Sequence, residues 1–392
     1  HRDLHSLRRR QRQMCIRDSI YIFNYTSNEW QVLPFDQTTG WSRKFNFTID
    51  VYDQEGDTVE CRLMISKDNG ATWELVGSDT ITGTPGIPTK GTCDVVYQGF
   101  GCDNIGSNNW FKFEIRDGEQ ANYFNTTAIN APKLRESFVT ISLIEGNDTW
   151  VNRTTGINLV ATLKVRVFDT ESNAYPAGVN VSFYVTHDNA NYQFDLLNQT
   201  DSEGNASYYF NPDCSYSVGL QYWKAGVTDS CYVDVNTSDF TTTIIGDLVN
   251  TLQQPINEVY LRGSNVTLRA NVTDECLNAI PQATVKFTSI STETSQQFEC
   301  TPVYDELDGW YNCTFNTTSP TLMPARWYDV EANSSKLYYH QGYQLKENAF
   351  FIETKPILSY PMVNTSTYDT VSYTHLRAHE TEADLVCRLL LE

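Results

Sequence analysis

Apolar residues at every second position, in short runs broken by Gly, Asn, Asp and Pro, limit the fold of this chain more than any other feature. They recur at Phe45 to Val51, Val59 to Ile65, Phe111 to Ile115, Ala161 to Val167, Val179 to Val185, Val266 to Val272 and Ala283 to Phe287. An extended strand turns successive side chains to opposite faces, so each run suits a half-buried strand and cannot stripe one side of a helix. No 3.6-residue apolar stripe of any length accompanies them. Short strands separated by turn residues predict an all-β chain of sandwiches with antiparallel sheets.

The 392 residues suffice for several such domains, and part of the chain repeats. Gly156 opens a strand pair that is followed by the turn Gly204-Asn205-Ala206-Ser207-Tyr208-Tyr209-Phe210-Asn211. Gly263 opens a second pair, followed by Gly309-Trp310-Tyr311-Asn312-Cys313-Thr314-Phe315-Asn316, a spacing of about 107 residues between copies. The expected modules are 20–135, 136–237 and 238–356, with 357–370 beginning a truncated further domain.

The two ends read differently. Val371-Ser372-Tyr373-Thr374-His375 can be encoded by a DNA segment whose reverse complement encodes Met14-Cys15-Ile16-Arg17-Asp18. One segment inverted at both ends is the mark of translated sequencing adaptors, so residues 1–19 and 371–392 are expected to take no part in the fold. Their removal takes away the Arg8-Arg9-Arg10 cluster and leaves only His187 and His340, each expected to be an ordinary surface residue. The natural chain is then expected to extend past both ends.

Ala177-Gly178-Val179-Asn180-Val181-Ser182-Phe183, followed by Thr200-Asp201-Ser202-Glu203-Gly204-Asn205-Ala206, resembles the pattern of prokaryotic Ig-like domains in invasin-type adhesins and surface-layer proteins. Val51-Tyr52-Asp53-Gln54-Glu55-Gly56-Asp57 is similar to a strand end in Ig-like or fibronectin-type domains of large archaeal and bacterial surface proteins. The resemblance covers most of residues 40–355 and implies tandem immunoglobulin-like or fibronectin-type β-sandwich domains in an elongated array, serving as stalk, spacer or adhesive modules. Asp308-Gly309 keeps the turn but lacks the Thr-Asp pair before it.

Fifteen Asn stand in Asn-x-Ser/Thr sequons: Asn24, Asn46, Asn125, Asn147, Asn152, Asn180, Asn198, Asn205, Asn236, Asn265, Asn271, Asn312, Asn316, Asn333 and Asn364. That is roughly three times what random placement of Ser and Thr would give. Asn46, Asn180, Asn265, Asn271, Asn312 and Asn316 fall on the polar phase of their strands, so all are expected to face solvent as glycan acceptors. With an even number of cysteines between residues 20 and 370, this predicts an extracellular or cell-surface glycoprotein. A net charge of −20 opposes a nucleic-acid partner, and no eighteen-residue apolar run spans a membrane within the chain.

The candidate chemistry is sparse. Ser66-Lys67-Asp68-Asn69-Gly70-Ala71-Thr72-Trp73 matches the Asp-box of sialidase propellers, but one copy builds no propeller and reads as a hairpin turn. Asp53, Glu55 and Asp57 crowd three carboxylates into one loop, a candidate calcium site without EF-hand spacing. Gly99-Phe100-Gly101 lacks the third Gly of a dinucleotide loop. Among the cysteines, Cys214 and Cys231 are the middle module's only pair and are expected to bridge. A four-residue turn setting Tyr304 opposite Gly309 would bring Cys300 to Cys313. Cys93 is paired with Cys102, leaving Cys61 and Cys276 over.

The expected function is non-enzymatic: a stalk, surface-layer or adhesive segment whose partners are other domains of one long chain and an unidentified surface protein or glycan. The alternative is a set of accessory domains of an extracellular carbohydrate-active enzyme, its catalytic domain lying elsewhere.

Overall fold

The computed structural model describes residues 17–117, 122–153, 160–319 and 321–355. The expected adaptor residues 1–16 and 371–392, the further-domain start at 357–370 and the sequon Asn364 lie outside the described residues. Strands are the only regular elements of the described chain apart from one short 3-10 turn, Cys102–Asn104, and they build three tandem β-sandwiches in an elongated array.

In the first module one sheet orders Glu29–Val32, Arg17–Asn24, Phe45–Asp53 and Thr89–Tyr97. The facing sheet orders Glu74–Ile81, Val59–Ser66, Trp110–Asp117 and Phe124–Asn125. Alternation supplies the core directly: Val59, Cys61, Leu63 and Ile65 point in, and so do Phe111, Phe113 and Ile115.

The middle module faces Val139–Glu145, Ala161–Asp169 and Asn205–Phe210 against Tyr192–Gln199, Asn180–Thr186, Gly219–Val227 and the start of Phe240–Gln254. Trp223 fills its centre and donates its indole N–H to the Gly146 carbonyl at 2.8 Å. In the third module, the end of Phe240–Gln254 joins Asn265–Asp274, Trp310–Asn316 and Tyr304–Asp305 in one sheet. The other is Glu258–Leu261, Gly342–Glu353, Trp327–Ser335, Thr284–Ser291 and Gln297–Cys300.

The repeat is physical. Val167 N–H meets the Gly204 carbonyl at 2.8 Å, and Val272 N–H meets that of Gly309 at 2.8 Å. Both glycines sit at positive φ, 76° and 84°, and a Cβ there would press within 3 Å of the carbonyl oxygens of Val167 and Val272.

Two expectations need correction. Residues 17–19 were expected to lie outside the fold, yet they start the first strand, with Arg17, Asp18 and Ser19 registered against Asp50, Ile49 and Thr48. Backbone pairing asks only for extended donors and acceptors, which any residue supplies. The side chain of Asp18 fits poorly: it shares the phase of the inward Ile20 and Ile22, its Oδ1 is buried without a hydrogen bond, and burial pushes its carboxyl up to about 6. Second, the boundary expected at 237/238 does not separate the sheets of the middle and third modules. The fifteen-residue strand Phe240–Gln254 runs through both, pairing Gly219–Val227 with its first half and Asn265–Asp274 with its second. A single ten-stranded sheet therefore crosses that boundary.

Candidate functional site at the module junctions

The most elaborate polar chemistry lies where modules meet. At the first joint, a short parallel pair, Thr38–Gly40 with Lys133–Arg135, delivers Trp41, Ser42 and Arg43 to the middle module. Arg43 and Arg135 both grip Glu171, at 2.8 and 2.9 Å, and the Phe138 N–H donates to the same carboxylate at 3.2 Å. Glu171 is almost fully buried while its arginines are a quarter to a third exposed. Gly40 makes room for it: a Cβ there would stand 1.7 Å from Glu171 Oε2. Trp41 donates its indole N–H to the Cys231 carbonyl at 2.7 Å, Ser42 Oγ bonds Ser137 Oγ at 2.9 Å, and a disulfide joins Cys102 to Cys231.

At the second joint the polarity inverts. Thr149–Asn152 runs parallel to Phe240–Gln254 and ends at Arg153, whose N–H bonds the Ile245 carbonyl at 2.8 Å. Its guanidinium reaches Asp274 at 2.6 Å, Glu275 at 2.7 Å and the Tyr216 carbonyl at 2.9 Å. Burial works against that charge, but Glu275 and Asp274 overcome it and hold Arg153 above its usual range. Glu275 also accepts the Asp247 N–H at 2.8 Å, so the ion pair is stitched to the shared strand. A disulfide joins Cys214 to Cys276, and His340 Nε2 lies 3.1 Å from Asn152 Oδ1. His187 is no isolated surface residue either: it stacks on Tyr216 at 3.8 Å, beside Asp195, which accepts the Tyr216 hydroxyl at 2.5 Å.

The cysteine pairing overturns two expectations. Cys214 and Cys231 do not bridge, because they flank opposite ends of the strand Gly219–Val227, and nine extended residues span roughly 27 Å. Each instead reaches the neighbouring module. Cys93 pairs with Cys61 across the sandwich, Cα atoms 6.3 Å apart, and not with Cys102. The inward phase that Cys61 shares with Val59 and Leu63 presents it to the inward Cys93 of the facing sheet. Cys300 does bridge Cys313, but by a different route from the expected hairpin register. Tyr304 stands opposite Asn312, while Cys300 is registered with Phe287 in the other sheet, so this bridge also crosses the core.

The three acidic residues of the first module are not assembled into a site. Asp53 is buried and accepts the Asp57 N–H at 2.8 Å, whereas Glu55 is exposed. Among the described residues no group of three or more His, Cys, Asp or Glu is placed to hold a metal ion. The Asp-box forms as a hairpin turn between Val59–Ser66 and Glu74–Ile81. Asp68 accepts the Thr72 N–H and hydroxyl and the Ser66 hydroxyl, bonds that hold its carboxyl down at about 2. Trp310, half-buried, is covered by Arg269 at 4.0 Å.

Of the fourteen described sequon asparagines, twelve are exposed or half-buried and two are not. Asn46, expected on the solvent face, is only 9% exposed: it lies between Tyr21 and Val96 of the flanking strands and its amide donates to Asp94 at 3.1 Å. Asn205 is 5% exposed and turns its amide toward Asp201 and Glu203, closing its own turn.

No protein-family model matches the chain, and no curated protein does. Similar solved structures include a tetra-tandem repeat from the extending region of a large adhesion protein, at 14% identity over 85% of this chain and 74% of that one, TM-score 0.34. A three-domain immunoglobulin fragment of titin covers 81% of this chain and 94% of its own at 9% identity, TM-score 0.35. A 1.5-MDa bacterial ice-binding adhesin is 13% identical over 88% of this chain and 100% of that one, TM-score 0.27.

Proposed function

We infer that the chain is a stiff, non-enzymatic spacer of an extracellular or cell-surface glycoprotein, holding whatever it carries at a fixed distance and orientation. The observation that carries this reading is the pair of joints: each combines an ion pair around a buried charge with an intermodule disulfide, and a continuous strand crosses the second. Relative motion of modules is the default for sandwiches joined by a linker. Here, bending either joint would separate desolvated charges, and bending the second would also break strand pairing, both costly. Four disulfides among the described residues suit an oxidising compartment. No described helix is long and apolar enough to cross a membrane.

Small-angle scattering tests the spacer. A rigid rod gives one maximum dimension that is unchanged by dilution or salt, and a broad or collapsing profile would rule the reading out. Secretion from a glycosylating host followed by glycopeptide mapping tests the glycoprotein. Occupancy is expected among the twelve accessible sequons and not at Asn46 or Asn205, and a wholly unmodified secreted product would remove that part of the proposal.

A further inference from the structure

Each module closes with the same device. A short strand runs parallel to the module's last strand, and the residue after it donates its N–H to that strand's carbonyl. Trp41 does so to Arg135 at 3.1 Å, Arg153 to Ile245 at 2.8 Å and Arg262 to Glu353 at 2.8 Å. In the first two modules this residue reaches the next module: Trp41 bonds the Cys231 carbonyl, and Arg153 pairs with Asp274 and Glu275.

The groups that answer it also recur. Phe45–Asp53, Ala161–Asp169 and Asn265–Asp274 each end in a buried Asp. Asp53 caps the Asp57 N–H, Asp169 that of Glu171, and Asp274 that of Cys276. The one or two residues that follow face the preceding module in both observed joints. They are Glu171 at the first joint, and Glu275 and Cys276 at the second.

Arg262 thus stands at the far end of the third module in the position that Arg153 holds in the middle one. Its Nε is buried with no hydrogen-bond partner among the described residues. Arg326 stands at the same end of the strand Gly342–Glu353: its carbonyl accepts the Ile352 N–H at 3.0 Å, while the Glu353 carbonyl accepts that of Arg262. Arg326 is itself held by Glu293 at 3.2 Å. Glu353 is also registered with Leu261, so the last described strand ends beside Arg262.

We propose that this end, centred on Arg262 with Arg326 at the same strand end, is the donor half of a third joint, shaped to receive the acidic loop of a further β-sandwich module carried on the same polypeptide. A guanidinium desolvated on one side and lacking an acceptor gains most from a carboxylate delivered in plane, as at the other two joints. The inference rests on the spacer reading and extends it from two joints to a rule for adding modules.

The test appends a second copy of residues 136–355 after Lys355 of the chain, so that the copied Glu171 loop is offered to Arg262. Spin labels at Leu307 and at the copied Leu197 measure the distance distribution across the new joint. The pair Leu197 and Leu307 within the original chain measures an existing joint in a parallel sample. The expected result is a new joint as narrow as the existing one, broadened by Arg262→Ser and by Glu171→Gln in the copy, with Arg262→Lys falling between.

A broad new joint beside a narrow existing one would overturn this inference and leave the spacer standing, as would a narrow joint indifferent to Arg262→Ser. A broad existing joint would overturn the spacer itself. The copied Arg153 joint reports whether the appended modules folded; if they did not, a copy of residues 17–355, offering Glu55, takes their place and is read by the same criteria.

Discussion

The two joints solve one problem with opposite charges. At the first, the middle module contributes a carboxylate, Glu171, to two arginines that keep partial contact with water. At the second it contributes a guanidinium, Arg153, to two carboxylates in a site where Arg153 and Asp274 have almost none. The backbone differs as well: a three-residue parallel pair approaches the first joint, whereas a continuous strand crosses the second. Desolvated charge is costly to strand, so the second joint should suffer more from losing one partner. Backbone continuity makes the same joint less dependent on its disulfide.

The largest effect should follow Arg153→Leu, which leaves Asp274 and Glu275 facing each other without a counter-charge and should cost about 3–5 kcal/mol. Glu171→Gln should cost less, roughly 1–3 kcal/mol, because Arg43 and Arg135 can turn to water. Denaturant unfolding of both variants checks the order, and equal losses would break the comparison.

Next come the bridges. Removing Cys102–Cys231 or Cys214–Cys276 as Ser pairs should each cost up to about 4 kcal/mol by chain entropy. Only the first removal should visibly widen its joint, since the Phe240–Gln254 strand still carries the second. Equal widening in interdomain distance measurements would show that strand continuity contributes nothing.

A smaller effect is expected of Gly40→Ala, whose methyl would collide with Glu171 and force that carboxylate aside at roughly 1–3 kcal/mol. Combined with Glu171→Gln the two losses should fall short of adding, because they break one contact. Additivity in a double-mutant cycle would mean that Gly40 acts elsewhere.

The smallest is a pH effect confined to the second joint. Burial raises the Asp195 carboxyl above the usual range, with Tyr216 and His187 partly opposing, and Tyr216 in turn holds Arg153 through its carbonyl. The folded chain therefore keeps this proton more tightly than the unfolded one. Its stabilising contribution is complete below the ordinary carboxylate range and is lost as pH climbs through the raised value. Asp195→Asn should flatten that loss, and a wild-type and variant pair with identical pH profiles would remove Asp195 from the account.

Much of the sandwich was legible in the sequence because alternation and burial coincide wherever one face of a strand meets a core, as along Val266 to Val272. The same signal fails where both faces are covered. Thr242 to Gly246 are all buried at the crossing between modules, so no period of two marks the shared strand, and the expected boundary at 237/238 falls ahead of it.

Arg153 carries no local signal, since its acids lie 121 and 122 residues away. One sign was present and misread. Three cysteines in the first module and three in the third leave one over in each, which fits bridges to the middle module's two as well as it fits free thiols. The recurring Asp at the strand end was visible too, but its service to the neighbouring module shows only in three dimensions.

The central claim, that both joints are rigid, is tested most directly by distance distributions across each of them in the intact chain. Labels at Leu75, Leu197 and Leu307, attached without cysteine chemistry, place one reporter on each module. Two distributions are predicted, each as narrow as between points on one solid body. The first should widen on loss of Cys102–Cys231 and the second on Arg153→Leu. Broad wild-type distributions, unchanged by either substitution, would contradict it.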